Sequence, residues 1–72
     1  MLHHTVMLYR ATLPIMVLVF RENLEAAFPI AAMETFEVIG QAEDDRFAVV
    51  KVKGEEFLVF NSDLEQRCAR LL

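Results

Sequence analysis

The residues of this sequence best suited to chemistry are carboxylates, which cluster at two places. One cluster is the run at residues 43–45, and the other is Glu55 with Glu56. Paired acids support glycoside hydrolysis or bind cations when they lie a few ångströms apart. A strand over residues 46–53 would hold the two clusters about 20 Å apart. Residues 43–45 also lack the alternating spacing and the glycine of a calcium loop. We therefore expect solvated turns at both places.

Nucleophiles and metal ligands are equally scarce. His3 and His4 are adjacent, so in a strand they would point to opposite faces, and no Cys/His pair at ligand spacing completes a site. Cys68 lies in an apolar stripe, which predicts a buried thiol with a raised pKa. Ser62 is the only serine, and the two glycines form no phosphate-binding loop. The sequence thus predicts no catalytic residue, no cofactor and no metal site, and hence not an enzyme.

Composition predicts one small folded domain over residues 1–72 that needs a partner. Hydrophobic residues make up 56% of the chain, too many for a disordered segment. A domain this small leaves part of its apolar surface uncovered, which favours a protein partner or a second copy. The net charge of −4 makes nucleic acid an unfavourable ligand. Arg46, Lys51 and Lys53 share one hairpin with Phe47, so a basic strand with an aromatic ring could bind single-stranded nucleic acid weakly, but acidic residues are interleaved with these cations.

The longest apolar stretch, residues 13–20, is too short to span a membrane as a helix, which needs about 20 residues. The N-terminus carries His3 and His4 instead of a cationic leader, so we interpret it as mature protein. A single cysteine cannot form an intramolecular disulfide. These features predict a cytoplasmic protein without a membrane span.

The C-terminal half predicts a three-stranded meander over residues 35–42, 46–53 and 56–60, with turns at residues 43–45 and at Gly54. The alternation of side chains sets the register of the first two strands. It places Val38 opposite Val50, Gly40 opposite Ala48, and Glu37 opposite Lys51.

A helix is predicted to follow the meander. Ser62 and Glu65 match a capping box, in which each side chain satisfies a free backbone N–H. An apolar stripe and an i,i+4 ion pair continue the helical pattern, and Arg70 would lie near the negative end of the helix dipole. The stripe consists of Leu64, Cys68 and Leu71, and the ion pair of Asp63 and Arg67.

The N-terminal half predicts strands over residues 5–10 and 15–20, with Pro14 at the start of the second strand. Good helix formers over residues 21–28 predict a short helix that Pro29 ends. One helix over residues 14–28 is the alternative. The resulting fold class is α+β, a predominantly antiparallel sheet of about five strands in the order β-β-α-β-β-β-α. A partly open SH3-like barrel is the alternative.

The two faces of the predicted meander differ in character. One face is wholly apolar and forms the core. The other is charged at one end and apolar at the other, and we expect its apolar end to be an interface with a second copy or another protein. Its residues are Ile39, Phe47, Val49, Leu58 and Phe60.

Two functional hypotheses follow from this surface. The first is a small non-catalytic interaction or regulatory module, homo-oligomeric as a dimer or a higher assembly. The second is a carrier of a small apolar ligand, or an accessory subunit, with an interior lined by residues such as Phe36, Val50 and Phe57.

Overall fold

A computed structural model describes residues 7–21 and 24–72, which form seven strands and one short helix. The α+β class is confirmed at this coarse level, whereas five strands in the predicted order are wrong. His3, His4 and the start of the first predicted strand lie outside the described residues. The elements are β1 (Met7–Ala11), β2 (Ile15–Arg21), β3 (Leu24–Ile30), β4 (Thr35–Gln41), β5 (Phe47–Val52), β6 (Glu55–Phe60), α1 (Asn61–Arg67) and β7 (Cys68–Arg70).

The predicted helix over residues 21–28 is wrong, as is its alternative over residues 14–28. Leu24–Ile30 is instead a strand that pairs with β2 along its whole length, from Arg21 opposite Leu24 to Ile15 opposite Ile30. Residues 22 and 23, within the predicted helix, lie outside the described residues. The β-branched β2 offers a full hydrogen-bond ladder, and this pairing overrides the helix propensity of the Glu and Ala residues in β3. Pro29 is tolerated because β3 lies at an edge of the sheet.

All paired strands run antiparallel, in the spatial order β3-β2-β6-β5-β4-β1-β7. Strands β1 and β2 are four positions apart, a distance of about 19 Å in a flat sheet. Residues 12–14 alone connect them and reach at most about 14 Å when extended. The N–H of Met33, just beyond β3, also donates to the carbonyl of Ala11 in β1 at 2.7 Å. The sheet must therefore curl until its two ends approach each other.

Curling encloses one hydrophobic core on the inner face. Val50 in β5 is fully buried, and its cross-strand partners are Val38 in β4 and Phe57 in β6. The Tyr9 and Phe36 rings stack with centroids 6.1 Å apart, which joins β1 to β4 on the same face. The buried members of the core cluster are Ala11, Ile15, Val17, Ile30, Phe36, Val38, Ala48, Val50, Val59 and Leu64.

The predicted meander is confirmed, with one correction to its register. Val38 pairs with Val50 and Glu37 with Lys51, as the alternation of side chains predicts. The predicted pairing of Gly40 with Ala48 is wrong, because the register shifts between Val38 and Gly40. Gly40 pairs with Val49 and Gln41 with Ala48, so β4 contains one extra residue at this point. Such a bulge bends the strand and strengthens the local twist, which suits a curled sheet.

The helix exists, but its predicted start and end are wrong. It begins at Asn61, and the residue at its N-cap, Phe60, makes no side-chain capping bond. Ser62 is therefore not the cap. The predicted ion pair is present, with Arg67 Nε 3.6 Å from Asp63 Oδ1. The helix ends at Arg67, so Cys68 and Arg70 belong to β7, and the C-terminal part of the predicted stripe is not helical.

The start of α1 is held by side-chain amides. Asn61 Nδ2 donates to the Asp45 carbonyl at 2.8 Å and to Gln41 Oε1 at 3.1 Å, and Gln41 Nε2 donates back to Asn61 Oδ1 at 3.4 Å. These bonds join the end of β4, the following turn and the helix. The backbone N–H of Asn61 also donates to the Arg46 carbonyl at 2.8 Å.

We expect Asn61→Ala to lower the free energy of unfolding by about 1 kcal/mol, because it removes the amide bonds to Gln41 and Asp45. Ser62→Ala is the matched control and should be neutral, since no capping bond is lost. Urea denaturation followed by circular dichroism measures both. A larger loss of unfolding free energy in Ser62→Ala than in Asn61→Ala would show that Ser62 caps the helix.

Candidate interaction surface

The outer face of the sheet carries an apolar band across four strands. Cross-strand partners share a side of a sheet, so the strand pairings fix which residues lie together. Leu18 in β2 pairs with Leu58 in β6, Leu58 with Val49 in β5, and Val49 with Gly40 in β4. Ile39 precedes Gly40 in the bulge and is 51% exposed, while Val38 points into the core. The residues Leu18, Leu58, Val49, Gly40 and Ile39 form what we call the outer band.

Four of the five residues predicted for an interface are accessible on this face. Ile39 and Phe60 are exposed, and Val49 and Leu58 are half-buried. Phe47 differs, because only 7% of it is exposed. Its ring lies 4.6 Å from the ring of Phe60, and the Arg46 guanidinium lies 5.4 Å from its centroid. Phe47 is thus covered within its own chain and packs beside Phe60, its cross-strand partner.

Leu18 is the member of this surface that the sequence interpretation did not assign. It lines a shallow groove of about 220 Å³ with Val49, Glu56, Phe57 and Leu58. The alternation of side chains along β2 indicates that Leu18 lies on the outer face, because Ile15 and Val17 are buried and Leu18 lies on the opposite side of the strand. The pairing of β2 with β6, which joins Leu18 to the band, could not be deduced from that alternation.

A row of charges borders the outer band at one end. Lys51 in β5 pairs with Glu37 in β4 on one side and with Glu56 in β6 on the other. All three residues are exposed. Over the described residues, the ion pairs within 4 Å are Arg46 with Asp44 and Arg67 with Asp63, so Lys51 forms none. Its ammonium group is therefore available to a carboxylate from another molecule.

The turn before β5 is ordered by one bidentate ion pair. Arg46 Nη2 lies 2.6 Å from Asp44 Oδ2, and Arg46 Nε and its backbone N–H both donate to Asp44 Oδ1 at 3.0 Å. These hydrogen bonds from Arg46 lower the pKa of Asp44 from 3.8 to about 2. The same pair holds the Arg46 guanidinium over Phe47.

We expect the Asp44 carboxyl to titrate with a pKa of about 2 in the folded chain, as measured by carbon-13 NMR. Because the folded pKa is depressed, the contribution of this pair to stability is present above the ordinary carboxyl pKa and is lost as the pH falls toward 2. In Arg46→Ala the pKa should return toward its ordinary range. An unchanged low pKa in that variant would show that another group depresses it.

Within residues 7–21 and 24–72, the chemical groups considered from the sequence do not converge on one site. Burial raises the pKa of the half-buried Cys68 thiol, and Asp63 raises it further. Among the residues described, no three His, Cys, Asp or Glu side chains are grouped to hold a metal ion. Phe36 and Val50, expected to line a ligand-binding interior, belong to the packed core, while Phe57 lies half-buried and contacts Phe28 with ring centroids 6.0 Å apart.

In the described part of the chain, no helix combines the length and the apolar character needed to cross a bilayer. No protein-family model matches the sequence, and comparison with curated proteins and with solved structures yields no significant match.

Proposed function

We propose that this protein is a small non-catalytic interaction or regulatory module that self-associates through the outer band. The observation that carries the proposal is the continuous apolar strip formed by Leu18, Leu58, Val49 and Ile39 on the side of the sheet opposite the core. Exposed apolar patches rimmed by polar residues are typical of protein interfaces. Glu37, Lys51 and Glu56 supply such a polar border at one end of the outer band.

We further propose that the curled sheet is a partly open SH3-like barrel. Supporting this are the hairpin β2–β3, the meander β4–β5–β6, and the short helix that leads into β7 beside β1. In such a barrel the core fills the interior, so binding depends on the outer surface and on the loops. The proposal therefore favours a surface-mediated function.

The alternative function is that of a carrier or accessory subunit for a small apolar molecule. The groove between Leu18, Val49 and Leu58 supports it, because its walls are largely apolar and its volume is about 220 Å³. This volume lies below the range of about 300–1,000 Å³ usual for ligand pockets. Self-association therefore remains the favoured function.

Size-exclusion chromatography with light scattering over a dilution series tests the proposal. A mass above 8.3 kDa that falls toward this value on dilution supports reversible self-association. A monomer at every concentration from micromolar to millimolar would exclude it. Native mass spectrometry of freshly purified protein tests the alternative function, since a carrier should retain a small molecule of defined mass.

A further inference from the structure

We propose that two copies pack outer face against outer face about a twofold axis that runs parallel to the strands, between β5 and β6. This inference rests on the proposed self-association and specifies how it is achieved. Rotation about such an axis keeps each residue at its level along the strands. Because the curled sheet presents a convex outer face, contact is limited to the strands beside the axis, and β6 of one copy lies against β5 of the second copy.

The row of charges selects this axis. With the axis between β5 and β6, Lys51 faces Glu56 of the second copy, and the same contact occurs twice by symmetry. An axis along β5 would set Lys51 against Lys51, and one along β6 would set Glu56 against Glu56. An axis perpendicular to the strands would place the charged end of one copy on the apolar end of the other. An axis between β4 and β5 would pair Lys51 with Glu37 instead, but it would set β6 and its Leu58 against β1, outside the outer band. The proposed axis pairs opposite charges and also matches Leu58 with Val49.

The apolar level next to the charges fits the same axis. Leu58 then faces Val49 of the second copy, and the same contact occurs twice by symmetry.

The test uses two charge reversals, Lys51→Glu and Glu56→Lys. Each single variant places like charges at both symmetric contacts and should raise the dissociation constant of its own dimer at least about tenfold. A dimer that contains one copy of each variant again has opposite charges at both contacts. At one contact the two introduced residues meet, and at the other the unchanged Glu56 of the first variant meets the unchanged Lys51 of the second. The mixture should therefore associate within about threefold of the wild-type constant.

The mixture of the two charge variants distinguishes a contact between copies from an effect within one chain. Each variant also loses the opposite-charge pair of residues 51 and 56 within its own chain, and this loss persists in the mixture. Glu37→Lys is the matched control. It reverses a charge in the same row, beside the same Lys51, but leaves the Lys51–Glu56 contact between copies intact, so it should still self-associate.

Sedimentation equilibrium measures all these constants, with circular dichroism to verify folding. If wild-type protein associates but the mixture of charge variants does not, the proposed axis is wrong while the proposed function stands. If the wild-type chain is monomeric throughout, both fail.

Discussion

Replacing Val50 by alanine is expected to lower the free energy of unfolding by about 1–3 kcal/mol, because it removes two buried methyl groups and leaves a cavity. Val50 is fully buried in the central part of the meander, with Val38 and Phe57 as its neighbours across the sheet. For a domain of this size, each kcal/mol lowers the melting temperature by about 4–8 °C. Thermal unfolding followed by circular dichroism should therefore show a clear shift.

Val52→Ala is the matched control for this prediction. It removes the same groups from the same strand, but Val52 is only half-buried at the margin of the core. Its effect should be smaller than that of Val50→Ala. Equal melting temperatures for Val50→Ala and the wild type would contradict the central position of Val50 in the core.

The meander could be predicted because the residues that determine its turns and register lie close together in the sequence. The turn residues at 43–45 and Gly54 bound strands whose side chains alternate, and Gly54 adopts a positive φ of 83° that glycine tolerates. Opposite charges at Glu37 and Lys51 then select the register. The position of Val50 in the core and the apolar character of the opposite face follow from the same alternation.

In the N-terminal half, the strand predicted over residues 15–20 is confirmed as β2, and the described part of the strand predicted over residues 5–10 lies in β1. Strand β3 could not be predicted, because its structure depends on distant contacts. Residues 24–30 have the composition of a helix, yet they become a strand through pairing with β2. That hairpin joins the meander through the single partner pair Leu18 with Leu58, forty residues apart in sequence. No local pattern encodes such a contact, and tertiary pairing outweighs helix propensities of a few tenths of a kcal/mol per residue.

Smaller errors have equally specific causes. The register changes at Gly40 because β4 accommodates one extra residue, which the alternation of a regular strand does not anticipate. Ser62 and Glu65 match a capping box, but the amide bonds of Asn61 to Gln41 and Asp45 hold the helix start earlier, with Phe60 instead of Ser62 at the N-cap. Four of five predicted interface residues remain accessible, since only Phe47 is covered by its neighbours Phe60 and Arg46.

Leu58→Glu is expected to abolish self-association while the fold is kept. Leu58 lies at the centre of the outer band, between Leu18 and Val49, and faces away from the core. A carboxylate there would have to lose its hydration in any complex that covers the band, at a cost of several kcal/mol. In the free chain the half-buried side chain can still reach water, so folding should be affected far less.

Light scattering should give a mass near 8.3 kDa for Leu58→Glu at concentrations where the wild type associates, with a near-native circular dichroism spectrum. Met33→Glu is the matched control, because it introduces the same charge at an apolar residue that is 66% exposed in the loop between β3 and β4, outside the band. That variant should associate like the wild type. If Leu58→Glu remains folded and associated, the copies meet through another surface. If it unfolds while Met33→Glu does not, the outer band is required within the single chain, since the pairing of β2 with β6 at Leu18 and Leu58 then holds the curled sheet together.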